Sequence, residues 1–394
     1  MDGTGVSGSS PRLHHASHRS LLVAPSTVAP WSTAHVDAVV VPTARPSDHL
    51  RSALSVAAAL RCPIVAICDG RASPGTAVDL AAGYPGLRCY AVHGGSALAT
   101  RYLPGAVHQV HQGSRKQTNI SAGRNVGLLV GRLAGWRRVL FLDDDVRAVD
   151  VDLVRTVARR VHDRGLTATG WVSHWYPDNS VVCHANRLAG NAQASFISTA
   201  ALVAEVTDST PVFPPVYNED WFFLFDLLRA GRVGHAGTVL QVEYDPYLDP
   251  QRAADEEFGD LVAEGLYHLL HEVRTGRLDE DALAGRMRST DLWADELGFR
   301  TTFVERIGRR LTHGAAPDGT DPRLVDKALA SLAMAADRLS RTTATDVVAF
   351  IDAWREDQDT WRRTLRRLHP LGSVQAAFDR LHLDYETTWD ERTA

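Results

Sequence analysis

The chain has 394 residues, 44% of them hydrophobic and 23% charged, with a formal net charge of −5. That is ordinary for a soluble globular protein with room for one large domain and a smaller one, and it argues against a general nucleic-acid binder. No apolar stretch approaches the ~20 residues that span a bilayer. Met1 to Pro11 lacks the basic-then-apolar pattern of a secretory signal, so the sequence reads as cytoplasmic. Cys62, Cys68, Cys89 and Cys183 form no C-x-x-C pair and read as reduced core thiols.

Residues 1–35, Gly/Ser-rich over Met1–Pro11, predict a flexible or loosely packed N-terminal arm, with His14, His15 and His18 as polar filler. The run Val36–Val41 predicts a strand stopped by Pro42, followed by a helix from Pro46 to about Leu60. A strand over 63–68 ending at Asp69-Gly70, a helix near 75–82 and a strand near 87–92 continue a βαβαβ rhythm. That rhythm predicts a doubly wound sheet with parallel strands. After a Gly/His/Gln-rich loop, Asn119–Gly135 predicts a helix with Gly123, Gly127 and Gly131 in register on one face. Those glycines imply close backbone approach, to a sheet or to a ligand. Beyond the strand 138–142 and a helix near 151–164, strand-like pieces appear at 166–172, 180–184 and 194–197, with Trp175, Tyr176 and Asp178 in a loop between them. Asn218 then caps an apolar helix over 219–228, a strand is expected near 239–244, and 250–394 reads as helical.

The most informative stretch is Val139-Leu140-Phe141-Leu142 followed by Asp143-Asp144-Asp145. A buried strand ending in three carboxylates is electrostatically awkward, because adjacent like charges repel unless a cation offsets them. A divalent metal on oxygen ligands is the simplest remedy; capping of the following turn by the aspartates is the structural alternative. In an open α/β sheet, that edge is where ligands bind.

Residues 119–146 read NISAGRNVGLLVGRLAGWRRVLFLDDDV. Together with the early V-V-V-P-T strand, Asp69 after the second strand, and Glu219-Asp220 opening a buried helix, this ordered set resembles the GT-A nucleotide-sugar glycosyltransferases, family-2-like members in particular. The resemblance implies an α/β fold, a doubly wound mixed GT-A sheet over 36–249, with a helical C-terminal region over 250–394. It implies a UDP- or GDP-sugar donor, Mn²⁺ or Mg²⁺, and a small soluble hydroxyl acceptor. Asp145 and Asp143 would be the metal ligands, with Asp143 and Asp144 also on the donor. Pro42, Thr43, Asp69, Arg124 and Asn125 would line the nucleotide, and Arg45 could reach phosphate. Asp220 would be the general base of an inverting transfer, with Glu219 as acceptor contact or substitute. Gly190-Asn191 and Ser198-Thr199 flank a segment that positions donor or acceptor in such enzymes, and Trp175, Tyr176 and Trp221 could stack on a sugar, although Trp221 reads rather as core.

One departure concerns the metal. Many relatives carry a His on the last strand or loop, where this chain reads Gln241-Val242-Glu243-Tyr244-Asp245. His184, His235, Glu243, Asp245 and water are the candidates for the third ligand. Two other readings follow from the same features: a retaining transferase of the sugar-phosphoglycerate synthase type, and a nucleotide-sugar-binding module with little turnover. The helical region could also mediate a homodimer.

Overall fold

The computed structural model describes residues 18–24, 34–94, 101–174, 176–177 and 179–389. β-Branched runs alternate with amphipathic segments through the first half. They form β1 (Ala38–Thr43), α1 (Arg51–Leu60), β2 (Ile64–Cys68), α2 (Pro74–Ala81), β3 (Cys89–His93), α3 (Ala106–Val110), α4 (Arg115–Ala134) and β4 (Arg138–Leu142). Next come β5 (Val146–Arg147), α5 (Val151–Asp163), β6 (Ala168–His174), α6 (Val181–Leu188), β7 (Ile197–Glu205), α7 (Glu219–Arg229) and β8 (Val233–Gln241). The last third contributes α8 (Gln251–Arg274), α9 (Leu283–Met287), α10 (Thr290–Thr312), α11 (Pro322–Ser340), α12 (Ala344–Arg367), α13 (Val374–Leu381) and β9 (Tyr385–Thr387).

Among the described residues the nine strands form one sheet, ordered β5-β8-β6-β7-β4-β1-β2-β3-β9. β3, β2, β1 and β4 are parallel neighbours, and β6 runs parallel to β8. β7 is antiparallel to both β4 and β6, and β5 and β9 close the two edges antiparallel. The mixed α/β sheet agrees with the expected class at that level.

Successive strand residues face opposite sides, and both sides are covered. Val39, Val41, Ile64 and Ala66 join one hydrophobic cluster with Leu54 of α1, Ala77 of α2 and Val157 of α5. Val40, Val65 and Ile67 join another with Leu129 of α4, which runs on through Phe222, Leu266, Trp293, Phe350, Trp361 and Phe378. Pro42 sits inside β1 rather than ending it. Its missing N–H removes no ladder bond, because pairing with β4 ends at Val40–Phe141. A Cβ on Gly127 would lie 2.5 Å from Val40 Cγ1, so the glycines of α4 serve helix-on-sheet packing, most tightly at that position.

Several local expectations give way to tertiary partners. Residues 180–184 begin helix α6 instead of a strand: Ser180 Oγ accepts from the Cys183 N–H (3.3 Å) and a Glu256 carboxylate oxygen from the Val181 N–H (2.8 Å). α4 starts at Arg115, ahead of the expected Asn119, and β8 lies upstream of the expected 239–244. The helical reading of 250–394 misses β9, which pairs with Tyr90–Val92. Part of the N-terminal arm is docked: a 3-10 turn over His18–Leu21 buries Leu21 and Leu22, and Val23 bridges to Gly234. The rest of the arm (1–17 and 25–33), with His14 and His15, lies outside the described residues, as do Trp175 and Asp178. The four cysteines are buried thiols, and burial pushes Cys62, Cys68 and Cys89 up to about 12. Among the described residues no helix is long and apolar enough to cross a membrane.

Candidate active site

The carboxyl ends of β1, β2 and β4, the first half of α4, the start of β7 and the first turn of α7 surround a cleft of about 1030 Å³. Ligands bind at this edge in open α/β sheets. Pro42, Thr43, Arg45, Asp69, Arg124, Asp143, Asp144, Asp145, Ser198, Thr199, Glu219 and Asp220 all line it. Most of the residues singled out from sequence are therefore brought together.

The acidic tip is anchored by its main chain. The Asp143 N–H donates to the Ala200 carbonyl (2.9 Å), and the Val242 N–H donates to the Asp145 carbonyl (3.0 Å). Its side chains part company. Asp144 accepts from Thr43 Oγ1 (2.7 Å) and from Arg45 Nη1. Asp145 accepts from Arg45 Nη2 (2.8 Å) and Gln241 Nε2 (3.4 Å). Asp143, expected at the metal, turns to Arg124 Nη2 (2.9 Å).

Arg124 links the tip to α7, since its other terminal nitrogen binds Glu219. Burial works against the guanidinium charge, yet Asp143, Glu219 and Asp220 outweigh it and hold the Arg124 pKa above its ordinary value. Asn125, the next residue, turns elsewhere. Its amide clamps the main chain of Phe213, donating to the carbonyl (2.8 Å) and accepting from the N–H (2.9 Å), and it does not line the cleft.

Asp220 is buried at the start of α7, behind Asn218, which holds a left-handed backbone (φ 62°). It accepts from the Thr199 N–H (3.1 Å) and its neighbour Trp221 N–H (2.9 Å). Burial, reinforced by the adjacent Glu219 charge, pushes its carboxyl up to about 7 despite Arg124. A carboxylate tuned to that range suits a general base at neutral pH. Asp69 follows β2, its N–H donating to the Thr43 carbonyl (2.8 Å) and its carboxylate accepting from Asn119 Nδ2.

Mn²⁺ and Mg²⁺ take carboxylate oxygens, and a Mg²⁺ site commonly uses only one or two protein carboxylates plus substrate phosphates. Asp144 and Asp145 offer that much, and a cationic guanidinium already rests on both. No group of three His, Cys, Asp or Glu side chains closes around a metal among the described residues. His184, His235 and Glu243 lie off the cleft, and Asp245 pairs with Lys327 (2.8 Å). The donor set fits a divalent cation that takes one or two protein carboxylates and completes its shell elsewhere, not a protein cage.

Sequence reasoning missed His18. It is buried in the cleft wall, with Nδ1 2.9 Å from His271 Nε2 and Nε2 3.2 Å from Glu264, among the rings of Phe196, Trp221 and Tyr267. Trp221, read from sequence as core, also reaches the cleft. Gly190, Asn191 and Tyr176 do not line it. No local signal marks His18, because its partners stand more than 240 residues away in sequence.

Neither a family model nor a curated protein matches this chain. Among solved structures it is similar to the mannosyltransferase PcManGT from Pyrobaculum calidifontis, solved in complex with GDP-Man and Mn²⁺. The two share 16% identity over 86% of this chain and 92% of that one, with a TM-score of 0.39. A likeness of that extent leaves the function to the chemistry of the cleft.

Proposed function

We propose that this protein is a GT-A-type glycosyltransferase that moves a sugar from a UDP- or GDP-sugar to a hydroxyl of a small soluble acceptor, with inversion. The observation that carries the reading is Asp220: a buried carboxylate with its pKa near 7, in the same cleft as an acidic strand tip and two guanidiniums. In the transfer, Asp220 takes the proton of the acceptor hydroxyl. The acceptor oxygen bonds to the anomeric carbon from the face opposite the diphosphate, the carbon–oxygen bond to the diphosphate breaks, and nucleoside diphosphate leaves. Arg124, fixed by Asp143 and Glu219, keeps the base and the leaving-group side in one rigid frame. Asp69, which lines the cleft beside Asn119, would accept from the base or ribose. Asp145, with Asp144 beside it, would hold Mn²⁺ or Mg²⁺, which supplies charge neutralisation for the departing diphosphate.

A thermal-shift panel of UDP, GDP, CDP and TDP with and without Mn²⁺ reads base preference and metal dependence together, because a ligand that binds the native state raises its stability by mass action. Asp220→Asn is expected to keep donor binding and lose transfer by about 10²-fold or more. Near-normal turnover in that variant would remove Asp220 as the base. Nucleotide binding without any product would mark a binding module instead.

A further inference from the structure

Two adjacent, buried carboxylates need a positive charge nearby. At the tip, the Asp144 and Asp145 side chains are only 3% and 5% exposed. Thr43 and Gln241 reach them as neutral donors. Arg147 spends Nη1 on the main-chain carbonyl of Asp144 (2.8 Å) and on its neighbour's. The cation on the carboxylate oxygens is Arg45, one terminal nitrogen on each. Arg45 comes from the loop after β1, lines the cleft, and is 39% exposed. Arg124, by contrast, is buried and tied at both ends. One guanidinium is therefore enclosed, and the other reaches the tip from the solvent side.

A hard divalent cation seeks the same oxygens that Arg45 holds. Two positive groups packed on one carboxylate pair repel strongly inside a low-dielectric cleft. From this we infer that Arg45 is an exchangeable counter-ion of the acidic tip, which a divalent cation must displace from Asp144 and Asp145 in order to bind. The inference rests on the proposed reading of the cleft as a nucleotide-sugar site. It goes further in assigning the metal-free tip an internal occupant and a metal affinity set by competition. If Arg45 occupies the tip nine-tenths of the time, apparent metal affinity falls about tenfold below the intrinsic value.

The test is a Mn²⁺ titration of the full chain without nucleotide, following free Mn²⁺ by electron paramagnetic resonance, on the natural protein, Arg45→Ala and Arg45→Lys. Arg45→Ala should bind Mn²⁺ about tenfold more tightly than the natural protein. Arg45→Lys keeps a cation beside the tip, so it guards against a folding defect in the alanine variant, and it should fall between the two. Equal or weaker Mn²⁺ binding by both variants would overturn the exchange. UDP and GDP added to the same samples separate this inference from the functional reading. If neither nucleotide binds any of the three proteins while the Mn²⁺ order holds, the exchange stands and the transferase reading falls. If nucleotide binds and the Mn²⁺ order is reversed, the exchange alone falls.

Discussion

In the proposed reaction, one buried carboxylate, Asp220, ties stability to reactivity. In the unfolded chain it titrates near ~3.9; in the native cleft, burial and Glu219 raise it to about 7. Between those values the folded state binds the extra proton. The favourable contribution of Asp220 is therefore complete below the unfolded value and is lost as pH rises through about 7. Asp220→Asn should flatten that part of the stability profile, measured by urea unfolding between pH 4 and 8. In the proposed transfer the same proton would block the base, so kcat/KM should fall about tenfold per pH unit below the native pKa. A rate that is flat down to pH 5 would contradict the assignment. The place of such residues at the cleft was legible in sequence because strand ends and helix starts place short motifs predictably. Asn125 was not: one step along a helix turns a side chain by about 100°, here from the cleft to the Phe213 main chain. His18 was not either, since everything that buries it is remote in sequence.

At the scale of elements, α4 is the piece that brings Arg124 to the tip, and its glycines set how close it lies to β1. Two of them should respond differently to alanine. On Gly127 a methyl would meet Val40 Cγ1 at 2.5 Å, so Gly127→Ala should cost about 1–3 kcal/mol by overpacking. On Gly131 the nearest atom is Val206 Cγ2 at 3.4 Å, and Gly131→Ala should be neutral or gain up to about 1 kcal/mol from helix propensity. Chemical denaturation of the two variants decides this, and equal losses would mean that the glycines do not act by local packing. The periodicity of α4 and of the parallel strands was visible because one face of each is buried regularly. α6 escaped notice because its β-branched start looks like a strand, and although Ser180 is a local cap, the Glu256 carboxylate that also secures the first turn comes from α8, 75 residues on. β9 was missed because it is only three residues long and its pairing partner, β3, lies about three hundred residues earlier, although its Tyr and Thr residues favour a strand.

At the scale of the whole molecule, the helices after residue 250 bear on the site directly. Gly259 of α8 lies so close to the loop before α7 that a Cβ would stand 2.2 Å from the Tyr217 carbonyl oxygen. Asp260, its neighbour, accepts from Asn218 Nδ2 (2.7 Å) and from Arg300 Nη2 of α10 (2.7 Å), and Arg300 also pairs with the fully buried Glu257. The start of α7, which carries Glu219 and Asp220, is thus pinned by α8 and α10. Arg300→Met would leave two buried acids without their cation, a loss of about 3–5 kcal/mol. The remaining tethers follow the same plan: Trp361 Nε1 donates to the Thr210 carbonyl (3.0 Å), and Asp357 accepts from the main chain at Ala106 (2.7 Å) and Val107 (3.0 Å). A chain ending at residue 249 would expose Phe222 and Phe225, which pack on Phe350 and Trp354. It would also lose the partners that hold Asn218. Such a truncation is expected to give no cooperative thermal transition and little dispersion in its amide NMR spectrum. A sharp melt from that truncated chain would instead show that the sheet and α7 fold without the helices, and that the pinning of Asp220 is dispensable.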